Sequence, residues 1–431
     1  MPERKLDVIL FGVTGLVGRY GVNFFHELTS KRGLQIKWGI AGRNENKVRK
    51  VLQKLHEKTK DERIPKIPVF LADLQDPESI RKVVKNTRVL LNFCGPLLQH
   101  GENVIRTCID LGTHYLDVSA EPNFIEKIQL EYDDQARKAG VYVSNSCGYD
   151  SLAYDMGIVF LQRKMKGLVN SVETYLKYGC DRGGIPGPDF NTSTWNSMID
   201  LLGNSNELKQ MRKLRKEEWP VLKPRLRRRL IPFKPENEEG WAILSPTADL
   251  SVMRRTQQHR YKERNARPVQ IESYFVFPSF VEIILFIIFG GFLLLLSKTK
   301  FGRNLLLKNP SMFTGGCFSD KEPCEEKLDD NWCSLILVGK GWKDAKDQPK
   351  HAPDTELVAR IKGNNTGYKL TSLCLVLSGI MLLTEPEKLP KRKGVLTPGV
   401  LLSETSIIEH LHANGLKFEW IKNKEMQKKS C

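Results

Sequence analysis

Short apolar runs alternate with longer helix-compatible segments along the first third of the chain. The apolar runs consist mostly of strand-forming residues and cover residues 6–11, 36–41, 69–72, 89–93, 114–117 and 141–143. The segments between them that favour helices are 16–28, 44–58, 77–84, 103–111 and 123–138. Strands that alternate with helices are typical of βαβ units. The pattern therefore predicts an N-terminal α/β domain built on a parallel sheet.

A glycine-rich turn follows the first predicted strand, and its pattern is G-x-x-G-x-x-G. Gly12 suits a tight turn with positive φ, Gly15 lets the backbone approach a pyrophosphate, and Gly18 permits close packing of helix on strand. Phosphates also bind the amide N–H groups at a helix N-terminus. The turn predicts a Rossmann domain; the alternative is a glycine turn without a ligand. The predicted dinucleotide-binding residues here are Gly12, Thr14, Gly15, Leu16, Val17 and Gly18.

Polar residues at the ends of the later strands extend this site, because ligands of open parallel sheets lie beyond the carboxyl ends of the strands. Arg43 stands where an acidic residue would hold the ribose of NAD, so we expect NADP, with NAD as the alternative. Asp73 is expected beside the adenine. Asn92, Gly95 and Pro96 are expected along the nicotinamide ribose. The alternatives are a solvated surface arginine at Arg43 and a plain Gly-Pro turn.

Composition narrows the classes of function. The net charge of +17 over 431 residues favours anionic partners. Nucleic acid is not expected, because few aromatic residues lie among the basic ones and no nucleic-acid module is visible. The nine cysteines include no CxxC pair, so we expect reduced thiols and no metal site. The first apolar run begins at Leu6, which leaves no room for a signal peptide, so we expect a protein that faces the cytosol.

The most apolar stretch of the chain lies at 274–296, downstream of a basic region at 209–234 and further arginines at 254–267. Its uncharged core is 14 residues long, about 21 Å as a helix, which is short of a bilayer of about 30 Å. Basic residues flank both sides, which favours both ends on one face of the membrane. We predict monotopic insertion, with a hairpin bend at Gly290-Gly291 and basic residues on anionic head groups. The alternatives are a simple span and a buried core helix.

The last third predicts strands at 332–338 and 356–362, an apolar helix at 367–383 suited to packing on the first domain, and a short helix at 407–414 before a strand at 418–421. The predicted architecture is an N-terminal Rossmann domain with a parallel sheet, an α+β substrate domain and a hydrophobic membrane-associating segment. The predicted boundaries are 1–155 for the Rossmann domain, 156–272 for the first part of the substrate domain, 273–297 for the hydrophobic segment, and 298–431 for the remainder, including a C-terminal return onto the Rossmann domain.

Taken together, these motifs resemble the saccharopine dehydrogenase-like oxidoreductases. The stretches that carry the resemblance are 11–18, 41–43, 92–96, 117–122, 148–151, 252–256 and 394–399. The resemblance implies a reductase fold and a nicotinamide cofactor. It also implies that animal members associate with lipid droplets and mitochondria, and that bacterial relatives include trans-acting enoyl reductases of glycolipid synthesis. Saccharopine itself is not the expected substrate.

Hydride transfer usually needs a nearby proton donor. No tyrosine has a lysine four positions later, which argues against the Tyr-x-x-x-Lys mechanism. The candidate catalytic residues are Tyr149, Glu121 and Asp117. For Asp117 and Glu121, the alternative is a structural hydrogen-bond role. The Gly/Pro-rich segment 182–188 and the nearby Trp195 would line a substrate cleft, or they form a plain connecting loop.

We therefore expect an NAD(P)-dependent oxidoreductase of a lipid-like substrate, in lipid or glycolipid metabolism. Its predicted partners are a dinucleotide and a membrane or lipid-droplet surface. Its predicted location is the cytosolic face of membranes or lipid droplets, with the mitochondrion as a further possibility. The alternative is a non-catalytic nucleotide sensor or scaffold on lipid droplets.

Overall fold

The computed structural model describes residues 4–181, 188–214, 219–245, 247–347 and 351–425. The chain forms two compact units. Unit 1 contains residues 1–150 and 367–410, and unit 2 contains residues 151–366 and 411–431. The chain therefore leaves unit 1, builds most of unit 2, and then returns to unit 1 before its last strand.

The strands of the described residues are β1 (Leu6–Phe11), β2 (Trp38–Gly42), β3 (Val69–Leu71), β4 (Thr87–Asn92), β5 (His114–Asp117), β6 (Tyr142–Ser144), β7 (Leu168–Cys180), β8 (Phe190–Asn191), β9 (Trp241–Leu244), β10 (Gln270–Phe277), β11 (Phe318–Ser319), β12 (Asn331–Trp342), β13 (Thr355–Asn364), β14 (Gly394–Val395) and β15 (Lys417–Glu425).

The α-helices are α1 (Leu16–Lys31), α2 (Glu45–Thr59), α3 (Pro77–Val84), α4 (Leu97–Asp110), α5 (Pro122–Ala139), α6 (Tyr149–Lys164), α7 (Thr192–Gly203), α8 (Ser205–Leu214), α9 (Asp249–Arg264), α10 (Phe280–Ser297), α11 (Lys300–Lys308), α12 (Pro310–Phe313), α13 (Glu325–Asp330), α14 (Thr371–Thr384), α15 (Pro398–Leu402) and α16 (Ile407–Ala413).

Unit 1 is built on a seven-stranded parallel sheet in the order β14-β6-β5-β4-β1-β2-β3. The chain moves from β1 outward to β2 and β3, and then crosses back to β4, so the direction of winding reverses between β1 and β4. Ligands of such sheets bind at this switch point. The predicted α/β fold with a Rossmann domain is confirmed, and the register places Phe11 beside Ala41 on one side and Asn92 on the other.

Helices cover both faces of this sheet, as the apolar strands require. One face packs a core that includes Ile105 and Phe124 from α4 and α5. On the other face, α14 packs against α1, β4 and β5. The helix predicted at 367–383 is thus confirmed, and it packs on the first domain as expected.

Unit 2 is built on a six-stranded mixed sheet in the order β15-β13-β12-β7-β10-β9. Only β7 and β10 pair in parallel; the other neighbours are antiparallel. The segment between β10 and β12 leaves this sheet to form α10, α11 and α12. It then returns to the same sheet through β12.

The apolar segment forms one continuous helix, α10, so the predicted bend at Gly290-Gly291 was wrong. Each interior glycine costs a helix only about 1 kcal/mol relative to alanine, and the flanking leucines and isoleucines are compatible with a helix. α10 packs beside α7 and α11. Leu293 is 2% exposed in a small core with Trp195 and Leu306, whereas most of the helix is exposed.

Candidate active site

The glycine turn between β1 and α1 has the geometry of a phosphate cradle. Gly12 has φ of 89°, and a Cβ there would lie 2.6 Å from Cys94 Sγ. At Gly18, a Cβ would lie 2.3 Å from the Gly12 carbonyl oxygen, so only glycine lets α1 start this close to β1. Both positions therefore require glycine for steric reasons.

Gly15 differs from these two, because it faces open space. A Cβ at Gly15 would meet only the Gly12 carbonyl oxygen, at 3.7 Å. Gly15 is the exposed N-cap of α1, and no side chain caps the N–H groups of the first turn. The predicted residues Leu16 and Val17 lie in that turn, and Thr14 precedes it. A pyrophosphate fits here, because free amides and the positive end of the helix dipole face the space that a side chain would otherwise fill.

Arg43 and Asp73 follow β2 and β3, at the same end of the sheet. Arg43 is exposed, and Asn44 next to it caps α2 by accepting the Lys47 N–H at 3.0 Å. The charges of Arg43 and Asp73 both act on Cys94: burial raises the pKa of the Cys94 thiol to about 12, the Arg43 charge opposes that rise and the Asp73 carboxylate adds to it. The predicted adenine-side residues thus lie beside the glycine turn, and the exposed Arg43 has no carboxylate within 4.0 Å among the described residues.

Asn92 and Asp117 end neighbouring strands in direct register, and Tyr115 joins them. Asn92 Nδ2 donates to the Tyr115 hydroxyl at 2.9 Å, and that hydroxyl donates to Asp117 Oδ2 at 3.0 Å. Asn92 Oδ1 accepts the Cys94 N–H at 3.0 Å, which shapes the turn that leads to Gly95 and Pro96. A Cβ at Gly95 would have no atom within 4 Å, so this turn also borders open space.

Asp117 is fully buried and accepts five hydrogen bonds. The donors are the Tyr115 hydroxyl, the Ser119 N–H and Oγ (3.0 and 2.7 Å), Asn145 Nδ2 (2.7 Å) and the Ser146 N–H (3.1 Å). Burial raises the pKa of Asp117, although these hydrogen bonds work in the opposite direction. The carboxylate thereby ties the turns after β5 and β6 into one polar cluster.

Comparison with known proteins agrees with this geometry. Residues 8–143 match the family model for the saccharopine dehydrogenase NADP binding domain. A saccharopine dehydrogenase-like oxidoreductase of Homo sapiens is 30% identical over 98% of this chain and 99% of its own. The chain belongs to the saccharopine dehydrogenase-like oxidoreductase family. NADP is the cofactor of this family's N-terminal domain, which confirms the predicted cofactor.

Other relatives of this oxidoreductase also align over nearly their full length. A probable mitochondrial saccharopine dehydrogenase-like oxidoreductase of Arabidopsis thaliana is 32% identical over 97% of each chain. A lipid droplet localized protein of Caenorhabditis elegans is 28% identical over 96% of this chain and 98% of its own. The fold is that of apo histidine-tagged saccharopine dehydrogenase (L-Glu forming) from Saccharomyces cerevisiae, with a TM-score of 0.52, 14% identity, and coverage of 97% of this chain and 100% of that one.

The predicted proton donors of the oxidoreductase lie in or near the polar cluster, and all three are buried. Tyr149 is 1% exposed and Glu121 is 6% exposed. Glu121 Oε2 accepts the Ala120 N–H at 3.2 Å at the start of α5. Tyr149 begins α6, directly after the turn that Asp117 holds. A catalytic role for each of them remains a prediction.

Two further residues at the site, Thr371 and Ser372, have no signal in the local sequence. Thr371 Oγ1 accepts the Tyr149 N–H at 3.3 Å, and Ser372 Oγ donates to the Val17 carbonyl at 2.5 Å. The start of α14 therefore contacts both the first turn of α1 and the first turn of α6. Thr371 and Ser372 lie more than 200 residues from these partners, so no local pattern could identify them.

Trp195 was expected to line a substrate cleft, but it lies in a small apolar core of the oxidoreductase. Its ring is fully buried beside Ile199, Leu293 and Leu306, and its indole N–H donates to the Leu306 carbonyl at 2.8 Å. Trp195 thus holds α10 and α11 to unit 2 and does not line a cleft. Most of the predicted 182–188 loop, residues 182–187, lies outside the described residues.

Proposed function

We propose that this protein is an NADP-dependent reductase that acts on an apolar, lipid-like substrate while α10 holds it on a membrane or lipid-droplet surface. The observation that carries the proposal is the exposure of α10. Of its 18 residues, 17% are buried. Exposed fractions reach 60% at Leu285, 64% at Ile288 and 74% at Leu295. A contiguous apolar surface of this kind marks a lipid or protein contact.

The topology supports monotopic insertion rather than a crossing. β10 precedes α10 and β12 follows the helical segment, and both strands belong to the sheet of unit 2. A crossing would put these two strands on opposite sides of the membrane. Since α10 is apolar around its circumference, it suits hydrocarbon on every side that unit 2 does not cover.

A lipid-like substrate follows from this location, because a membrane-bound enzyme works where apolar molecules are concentrated. The Caenorhabditis elegans relative that is named for lipid droplets supports the same location. In the reaction, NADP would supply or accept the hydride. The glycine turn would bind its pyrophosphate, Arg43 its phosphate on the adenosine ribose, and Tyr149 or Glu121 would exchange the proton.

Cofactor binding is tested by titrating the purified protein with NADPH and NADH and following fluorescence. Gly15→Leu should abolish binding of both coenzymes without loss of stability, because Gly15 has φ of −71°, which any residue adopts. Arg43→Ala should weaken NADPH about ten- to a hundred-fold and leave NADH unchanged. Arg49→Ala is the matched control, since Arg49 is an exposed arginine on α2 that pairs with Glu45. Unaltered NADPH affinity in the Arg43 variant would overturn its role.

Catalysis is tested by NADPH consumption with a fractionated lipid extract. Tyr149→Phe or Glu121→Gln should lower turnover while NADPH still binds. The alternative is a nucleotide sensor on lipid, which the lack of a Tyr-x-x-x-Lys pair supports. Tight NADPH binding without turnover in any lipid class would establish that alternative.

Membrane binding is tested by vesicle flotation and by carbonate extraction. The variant Leu285→Ser/Ile288→Ser/Leu295→Ser should bind phosphatidylcholine vesicles at least about a thousand-fold more weakly, because each buried aliphatic side chain contributes about 1.5–3 kcal/mol. Leu130→Ser is the control, since Leu130 is 51% exposed on α5 of unit 1. Release of the wild-type protein by carbonate would contradict insertion.

A further inference from the structure

An extended segment, residues 223–234, lies across one face of the unit 2 sheet; we call it the basic strap. Side chains of β10 hold its backbone. Gln270 Nε2 donates to the Pro224 carbonyl at 2.8 Å, and Gln270 Oε1 accepts the Leu226 N–H at 2.9 Å. Near its end, Phe233 pairs with Ala242 of β9 through an isolated antiparallel bridge. The strap is therefore fixed in place without belonging to a strand ladder.

The inward charges of the strap are already paired. Glu173 and Glu272 are neighbours on β7 and β10, and both are more than nine-tenths buried. Arg229 lies 3.7 Å from Glu173, and Arg228 lies 3.7 Å from Glu272. Arg254 of α9 adds a contact to Glu272 at 3.1 Å. These arginines offset buried carboxylates, so their charge is already engaged within unit 2.

The outward charges are unpaired. Arg225 and Arg227 are exposed, and neither has a carboxylate within 4.0 Å among the described residues. The strap also exposes two aliphatic side chains, Leu230 at 75% and Ile231 at 79%. Free arginines beside exposed aliphatic residues suit a surface that is anionic outside and apolar inside, which describes a phospholipid interface. A groove for single-stranded nucleic acid would instead place exposed aromatic platforms among the arginines.

The strap is also continuous with α10. The ammonium group of Lys234, the last strap residue, lies 5.3 Å from the centroid of the Trp241 ring. That ring packs on Phe280, the first residue of α10, with the ring centroids 5.1 Å apart. One aromatic side chain thus bridges the end of the strap and the start of the apolar helix.

We propose that the outward face of the basic strap is a second membrane contact, selective for anionic phospholipids. Arg225 and Arg227 pair with the head groups, and Leu230 and Ile231 enter the interface beside α10. This inference rests on the proposed function, since it assumes that α10 inserts into the same surface. It adds a preference for lipid charge, which the uncharged part of α10 does not provide.

The test compares flotation with phosphatidylcholine vesicles and with vesicles that also contain phosphatidylserine. Arg225→Gln/Arg227→Gln should bind the anionic vesicles about thirty-fold more weakly and the neutral vesicles unchanged. Leu230→Ser/Ile231→Ser should lose affinity for both. The matched control is Arg81→Gln/Lys82→Gln, which removes two exposed charges from α3 of unit 1. The control should match the wild-type protein on both vesicles.

Three outcomes would overturn the inference. The arginine variant could keep its affinity for anionic vesicles, or the control could lose as much, which would reduce the effect to net charge. Alternatively, a duplex oligonucleotide could bind the wild-type protein and not the arginine variant, with vesicle binding unaffected, which would assign the strap to nucleic acid. Failure of α10 to insert can be distinguished from failure of the strap proposal. The variant Leu285→Ser/Ile288→Ser/Leu295→Ser measures insertion of α10 on neutral vesicles, where the strap arginines should have no effect.

Discussion

By length and composition, α10 and the helical segment 366–384 that contains α14 could both cross a membrane, yet their surroundings are opposite. In the apolar 18-residue window of that segment, 78% of residues are buried, against 17% in α10. On α14, the Ser372 hydroxyl bonds to the Val17 carbonyl, and Gly379 faces Leu91 of β4 so closely that a Cβ would lie 2.8 Å from it. On α10, neither Gly290 nor Gly291 has an atom within 4 Å of its would-be Cβ. An apolar sequence alone therefore does not show whether a helix is buried by protein. The elements that pack against it decide this.

The largest expected difference between the helices is the loss of unfolding free energy when a leucine is replaced by alanine. Leu377 of α14 is fully buried, so Leu377→Ala should lower the free energy of unfolding by about 2–5 kcal/mol through lost burial and a cavity. Leu295 of α10 is 74% exposed, and Leu295→Ala should change the free energy of unfolding by less than about 0.5 kcal/mol. Hydrogen exchange of each helix in vesicle-free solution measures both. A large cost at Leu295 would mean that another surface covers α10 in solution.

The sequence predicted α14 and the Rossmann sheet well, because local patterns report them. Alternating apolar runs and the turn from Gly12 to Gly18 depend on residues close together in the chain. The contacts of Ser372 with Val17 and of Trp195 with Leu306 join residues more than 100 positions apart, so no local pattern reports them. The prediction of a bend at Gly290-Gly291 was wrong for a different reason. Glycine weakens a helix only slightly, and the apolar residues on both sides are compatible with a continuous helix.

Acid should destabilise unit 1 through His114, which lies on β5 in the sheet that α14 covers. Burial, and then the charges of Lys393 and Arg88, lower the pKa of His114 to about 4. His114 Nδ1 accepts the Tyr142 N–H at 3.0 Å, a bond that protonation of this nitrogen would remove. Since the folded pKa lies below the unfolded value of about 6.5, the stabilisation is present above that value and is lost as pH falls toward 4, by up to about 3 kcal/mol.

His114→Asn keeps an acceptor near the Nδ1 position and does not titrate in this range. The free energy of unfolding of unit 1, measured at about pH 7 and about pH 4.5, should fall less in this variant than in the wild-type protein. Exchange in α10 should follow the same pH trend in both proteins, because α10 carries a single ionisable residue, Glu282. Equal losses in unit 1 for both proteins would show that His114 does not cause the sensitivity of unit 1 to acid.

The smallest expected effects concern the interior glycines, and they have opposite signs. Gly379→Ala should destabilise unit 1 by about 1–3 kcal/mol, because the new methyl group would overlap Leu91. Gly290→Ala/Gly291→Ala should instead stabilise α10 by about 1 kcal/mol per site, since the methyl groups meet open space and alanine favours the helix. Hydrogen exchange measures both changes in stability. Vesicle flotation also tests the Gly290→Ala/Gly291→Ala variant. An unbroken α10 should bind vesicles as well with alanines as with glycines. If the alanine variant lost vesicle binding, α10 would have to bend at the glycines on entering lipid, and its straight form would belong to the protein in water alone.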